Sequence, residues 1–258
     1  MILLVSSTAQ SRNSCSFCQL GCETRIIAVG EGKEKFGNAF TFDSYASLFP
    51  FRLALIHRRG NSVGEISGHS KPINSIAVRQ NRPFRAVTGS DDNGVVHLTG
   101  VPFKFSRAHK QHTSFVHSVA YSPNGAFFSS AGADRKIFIY DGTSGDLTAT
   151  LTGHEGSIFA CAWSSDNTAL ASASADGTCR LWDAQSQKEI MKWDLGKGDS
   201  VGGQQVGLCW VGEKIVSVSA TGELNVIDKR DSNVSNVLSV SLMSSYMYHA
   251  NVPVQGRE

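Results

Sequence analysis

Residues 153–183 read GHEGSIFACAWSSDNTALASASADGTCRLWD, and the fold follows from how this stretch divides. Three short runs, Ile158 to Trp163, Ala169 to Ser174 and Thr178 to Trp182, are rich in β-branched, aromatic and small residues. Each is bounded by Gly, Asn, Asp or Ser, which is the pattern of short strands. Asp166-Asn167 and Asp176-Gly177 fall between the runs, and both pairs tolerate the positive φ of tight turns. No helical pattern intervenes, so the stretch predicts an all-β unit.

The unit recurs. His112 to Asp141 superimposes on it, with Ala133-Asp134 matching Ala175-Asp176 and Tyr140-Asp141 matching Trp182-Asp183. An earlier copy begins at Gly68-His69 and passes Thr88 and Asp92, and a weaker one runs from Val206 to Asp228. The period is about 42 residues, the length of one four-stranded β-propeller blade. The expected fold is therefore all-β, an incomplete propeller with four to five recognisable four-stranded blades.

Gly153-His154 and Trp182-Asp183 carry the spacing of WD-repeat proteins, which the repeats resemble. The resemblance implies a hydrogen-bonded tetrad of His154, Ser172, Asp176 and Trp182. Asp176 would accept from the imidazole, the imidazole from the Ser172 hydroxyl, and that hydroxyl from the indole N–H, giving a satisfied buried polar chain. The equivalents in the preceding blade are His112, Ser130, Asp134 and Tyr140. The Gly68-His69 blade keeps Thr88 and Asp92 but has Leu98 at the Trp position; the last has Ser217, Thr221 and Ile227. The trio of His, Ser and Asp also has hydrolase residue types, but a catalytic set occurs once and lies in a cleft, whereas this one repeats. The chain has no P-loop, and its remaining histidines lack metal-ligand spacing. The expectation is no catalytic residue, no cofactor and no metal.

Composition is ordinary for a soluble globular protein. The chain has 258 residues, 41% of them hydrophobic and 18% charged, enough to bury a sizeable core. A net charge of +2 with interspersed signs argues against nucleic acid or membrane as a partner, since both leave a concentrated basic footprint. Met1–Val5 is too short for a signal-peptide core, and no run approaches the roughly 18–20 apolar residues of a membrane helix. Cys161, Cys179 and Cys209 lie in strand-like runs as small apolar groups, which fits a reducing compartment.

Further segments are similar to the actin-interacting protein 1 family: Arg25 to Gly37, Val63 to Ser75, Arg82 to Asn93, Pro102-Phe-Lys-Phe105, Phe138 to Gly142, and Gln204 to Trp210. These linker and loop residues are not dictated by the propeller fold. The resemblance covers about Thr24–Ser44 and Gly60–Asp231, part of the first of that family's two seven-bladed propellers, and so implies seven blades in the full ring. It implies a cytoplasmic protein of the actin cytoskeleton, with actin filaments and cofilin (ADF) as partners, that promotes disassembly of cofilin-decorated filaments without hydrolysing anything. Candidate partner contacts are Phe159, which alternation turns away from the face of Ile158, and the loop or turn residues Lys110, Arg135 and Lys136. A generic WD-repeat scaffold and a truncated inactive product are the other readings.

Three segments depart from the pattern. Residues 1–24 form an N-terminal segment of unclear structure, with Cys15, Cys18 and Cys22 but no fourth zinc ligand nearby. Residues 25–232 form the partial propeller, interrupted by an apolar insertion at 45–59. Deleting that insertion restores the repeat spacing, so it reads as translated non-coding sequence or as a membrane-binding loop. Residues 233–258 are Ser-rich and read as an irregular tail.

Overall fold

The computed structural model describes residues 68–79, 81–100, 103–196 and 201–231 with their side chains, and the backbone of five further strands. Those five are β1 (Cys15–Gly21), β2 (Arg25–Gly30), β3 (Leu53–His57), β4 (Ser62–Ile66) and β20 (Val234–Ser239). The others are β5 (Ile73–Val78), β6 (Arg85–Ser90), β7 (Val95–Thr99), β8 (Lys104–His109), β9 (Val116–Tyr121), β10 (Phe127–Gly132), β11 (Lys136–Asp141) and β12 (Leu147–Thr152). They continue with β13 (Ile158–Trp163), β14 (Ala169–Ser174), β15 (Thr178–Asp183), β16 (Glu189–Asp194), β17 (Gln205–Val211), β18 (Lys214–Ser219) and β19 (Glu223–Asp228). Each successive set of four strands makes one antiparallel meander, giving five four-stranded sheets.

The sheets pack face to face in chain order. Their first strands β1, β5, β9, β13 and β17 lie side by side and form the inner row, and among the described residues no packed strand pair joins the fifth sheet back to the first. The sheets are thus blades of an incomplete propeller, and the described blades number five.

Burial explains the strand sequences. The middle strands β14 and β15 are buried on both faces, so ALASAS and TCRLW show no polar alternation. Small residues in β14 let Trp163, Leu170 and Trp182 close on Ile137, Ile139 and Leu151 of the third sheet. The fourth and fifth sheets meet through Leu181 and Trp193 on one side and Leu208, Ile215 and Ile227 on the other. The outer strands β8, β12 and β16 are mostly exposed. In β18 burial alternates, with Ile215, Ser217 and Ser219 inside and Val216 and Val218 half-buried, the mark of a sheet covered on one face among the described residues.

Hydrogen bonds stitch the inner row. Ser75 Oγ accepts from the Val119 N–H at 3.1 Å, and Ser118 Oγ accepts from the Cys161 N–H at 3.2 Å. The first strand of a blade has no ladder partner on its inner edge, so a serine of the preceding blade satisfies that donor. At the opposite ends of the strands, Asn81 donates to the Pro123 carbonyl, and Asn124 N–H donates to Asn167 Oδ1 at 2.8 Å.

The structure differs from the sequence reading in where the first and last blades lie. Strand β1 falls within 1–24, β3 within the insertion 45–59, and β20 within the tail 233–258. LALIH is a compact apolar run and takes the place between β2 and β4. VSNVLS pairs with β19, its valines concealed from a composition argument by the surrounding serines. Cys15 and Cys18 are on β1, whereas Met1–Val5, Cys22 and the rest of the insertion and tail lie outside the described residues.

Candidate functional site

The structure brings His154, Ser172, Asp176 and Trp182 together at one end of the fourth blade. His154 lies in the connection entering β13, Ser172 in the middle of β14, Asp176 in the β14–β15 turn and Trp182 near the end of β15. His154 Nδ1 is 2.8 Å from Asp176 Oδ2, and Nε2 is 2.8 Å from Ser172 Oγ. Trp182 Nε1 donates to Ser172 Oγ at 2.9 Å. With a carboxylate at Nδ1, that nitrogen carries the proton and Nε2 accepts from the hydroxyl. Gly153 has φ +151°, a backbone conformation that residues with a side chain rarely adopt, which explains why glycine precedes the histidine.

Asp176 also receives the N–H groups of Glu155 at 3.0 Å and Thr178 at 3.0 Å. Burial pushes its pKa up, but the His154 and Thr178 hydrogen bonds outweigh this and hold the carboxyl well below the usual range. The tetrad thus joins the loop entering a blade to its third strand and closes the β14–β15 turn.

The second and third blades repeat the arrangement. His112 Nδ1 meets both Asp134 oxygens at 2.9 Å and Nε2 meets Ser130 Oγ at 2.7 Å, but Tyr140 OH is 3.5 Å from Ser130 Oγ. His69 Nδ1 lies 3.0 Å from Asp92 Oδ2 and Nε2 2.8 Å from Thr88 Oγ1, with Leu98 buried in the Trp position. Burial lowers the pKa of His69 against the opposing pull of Asp92. For Asp92 and Asp134, burial raises the pKa but hydrogen bonds from backbone N–H groups and the facing histidine win, and both are held down. Ser130 and Ser172 are fully buried with their hydroxyls engaged, so neither is presented to a substrate.

The fifth blade uses a different set. Ser217 Oγ donates to Gln205 Oε1 at 2.9 Å, Asn225 Nδ2 donates to the same oxygen at 3.3 Å, and Gln205 Nε2 donates to the Gly203 carbonyl at 2.9 Å. Thr221 pairs with Ser219 instead of a histidine. Sequence reasoning missed Gln205; the absence of a Gly-His pair before β17 was the signal that another acceptor had to serve Ser217.

The candidate contacts share the tetrad end of the blades. Lys110 is exposed in the β8–β9 connection, Arg135 is exposed in the β10–β11 turn with φ 65°, and Lys136 opens β11. Phe159 is half-buried, its ring 5.4 Å from that of His117 on the neighbouring inner strand. It therefore packs between blades while keeping one side toward solvent. Lys71 and Phe115, which sequence reasoning passed over, join this end: the Lys71 ammonium lies 5.6 Å from the centre of the Phe115 ring, which is 44% exposed.

A family model described as WD domain, G-beta repeat matches residues 60–97, 103–141 and 145–183. The chain carries WD40 repeats. Over 80% of its length it is 43% identical to Actin-interacting protein 1 of Drosophila melanogaster. It is 43% identical to WD repeat-containing protein 1 of Xenopus tropicalis and 42% to that of Gallus gallus over the same share. It spans 32% of the length of each of these relatives.

The three matched WD40 repeats each end on β7, β11 or β15, so the outer strand of each blade opens the next repeat. One repeat therefore contributes to two blades, and the histidine that begins the blade proper is tied to the turn aspartate within it. Among the described residues no three His, Cys, Asp or Glu side chains are grouped to hold a metal, and no helix is long and apolar enough to cross a membrane. Cys161 and Cys179 are buried and Cys209 is half-buried; burial raises the Cys161 pKa and pushes that of Cys179 up to about 12, so both remain inert thiols.

Proposed function

We propose that this chain is a non-catalytic, actin-binding WD-repeat protein of the cytoplasm that acts on actin filaments decorated with cofilin and promotes their disassembly. The observation that carries this reading is the 43% identity over 80% of the chain to a protein named Actin-interacting protein 1. In this reading the tetrads are structural, and the binding surface is the blade end where Phe159, Lys110, Arg135 and Lys136 lie. The partly exposed aromatics anchor a partner and the cations meet acidic actin surface.

The fold supports a platform rather than a reaction centre. Rigid blades display loops whose positions are fixed by the buried polar chains behind them. The proposed organisation is one partial propeller extending on both sides of the matched repeats.

A second reading is favoured by the one-faced burial of the fifth blade: a partial ring that binds without disassembling, or serves another complex. Co-sedimentation separates the readings. Binding to cofilin-decorated filaments well above that to bare filaments, with faster loss of polymer, supports the first; equal binding to both removes the cofilin-dependent part.

A further inference from the structure

One seam between blades is built differently from the others. Register places His97 where the third and fourth blades have Ile139 and Leu181, and His109 where they have Leu151 and Trp193. It places Arg85 where they have Phe127 and Ala169. Arg79 takes the place of Ser122 and Ser164, whose hydroxyls close the first turn of their blades through the Phe127 and Ala169 N–H groups. The second blade therefore turns basic groups toward the third at positions that are apolar or self-satisfied elsewhere.

These groups lack acceptors. Arg79 Nε and Nη1, Arg85 Nε, both ring nitrogens of His97, Nε2 of His109 and the Tyr121 hydroxyl are buried with no hydrogen-bond partner. His97 is 1% exposed and His109 4% exposed. Arg85 reaches only the Thr143 carbonyl through Nη1. Among the described residues, Asp146 is the one carboxylate paired with the group, and it is taken by Arg107 on the outer strand. Buried donors are ordinarily satisfied, and a guanidinium left without an acceptor is costly. The surrounding field is positive enough that burial, then Arg85, His109, Arg107 and Arg79, bring the His97 pKa down to about 4.

We infer that the seam between the second and third blades is a binding site for a compact anion, a phosphate or carboxylate group, held by Arg79 and Arg85 with the Tyr121 hydroxyl and a His97 ring N–H as further donors. The guanidiniums supply paired donors of the geometry both anions need. At the strand ends opposite the tetrads, Arg82 is exposed beside Phe84 in the β5–β6 loop that carries Arg79 at its start. The site is independent of the proposed filament-binding end.

The test is thermal unfolding of the full chain at pH 7 in sodium phosphate, sodium acetate and sodium chloride of matched ionic strength. Beside the wild type stand Arg79→Ser and Arg85→Phe, which install residues the third blade already carries at these positions. A ligand of the folded state raises Tm saturably, by about 3 °C at roughly ten times its dissociation constant for a chain of this size. The expected result is such a rise in phosphate or acetate over chloride, abolished in both variants, with the more effective anion identifying the source. No rise over chloride, or the same rise in the variants, overturns the proposal. Should a variant not fold, calorimetric titration of the wild type with phosphate and with acetate decides, and the absence of saturable heat with either overturns it.

Discussion

Ser118 Oγ on β9 accepts a hydrogen bond from the Cys161 N–H on β13 at 3.2 Å, and this contact bridges two blades. The same relation holds between Ser75 and Val119 one blade earlier. It converts what would be an open inner edge into a stitched row, so the blades are joined by directed bonds as well as by apolar packing. Ser118→Ala leaves the Cys161 N–H without its partner, at a cost of about 1–3 kcal/mol. Urea denaturation measures the loss, and hydrogen exchange locates it, with the Cys161 amide losing protection before amides of β10.

The tetrads predict a ranking among serines and their aromatic partners. Ser172→Ala orphans two buried groups, His154 Nε2 and Trp182 Nε1, at about 1–3 kcal/mol each. Ser130→Ala orphans chiefly His112 Nε2, because Tyr140 OH is already 3.5 Å away. The fourth blade should therefore lose more than the third. Tyr140→Phe should cost no more than about 0.5–1.5 kcal/mol, since its contacts to Ser130 and Gln111 are both long. Thermal melts of the three variants check the order.

Acid sensitivity should come from the seam between the second and third blades. His97 and His109 each have a pKa lowered from 6.5 to about 4, first by burial and then by neighbouring positive charge. Arg79, Arg85 and Arg107 face them from their own blade, and Tyr121, Tyr140 and Asp146 from the next. Between pH 6.5 and 4 the unfolded chain binds more protons than the folded one, so stability falls as pH falls through that window. The held-down Asp92, Asp134 and Asp176 act lower, where stability present above the ordinary carboxylate pKa is lost as they protonate. His97→Ile with His109→Leu, the residues of the third blade, should reduce the slope of the upper window to the part contributed by His69 and His117, and leave the lower one. Urea midpoints measured across pH 4–7 show whether they do.

The sequence made the second to fourth blades legible because each carries a loop histidine, a strand hydroxyl and a turn aspartate, with the histidine 22 or 23 residues before the aspartate. The fifth was legible only as strands: Ser217 suggested a tetrad, but Gln205 supplies the acceptor, and glutamine at a strand start carries no pattern of its own. The first blade escaped for the opposite reason. Leu53–His57 breaks the repeat period, so spacing argued for deleting it, whereas its local apolar pattern suits a strand. The basic seam was hidden because His97 and His109 occupy positions whose burial depends on the next blade, and only register reveals that Ile139 and Leu151 are their counterparts. Phe159 could be placed next to a solvent-facing rim by alternation, but its contact with His117 depends on the closeness of two inner strands.

At the proposed binding end, Arg135 and Lys136 should matter through charge. Replacing both by Glu should weaken binding to decorated filaments about tenfold or more at low salt and less at high salt, because exposed charges are screened. Neither side chain supports the core, so the melting temperature should stay within about 2 °C of wild type. Filament affinity at two salt concentrations, read beside thermal melts, checks the pair.

The central claim is tested most directly by co-sedimenting wild type and Phe159→Ala with bare and with cofilin-decorated actin filaments. The account predicts that wild type pellets preferentially with decorated filaments and releases actin to the supernatant, and that Phe159→Ala folds but loses most of both effects. Equal pelleting of wild type with bare and decorated filaments, or none with either, would contradict it.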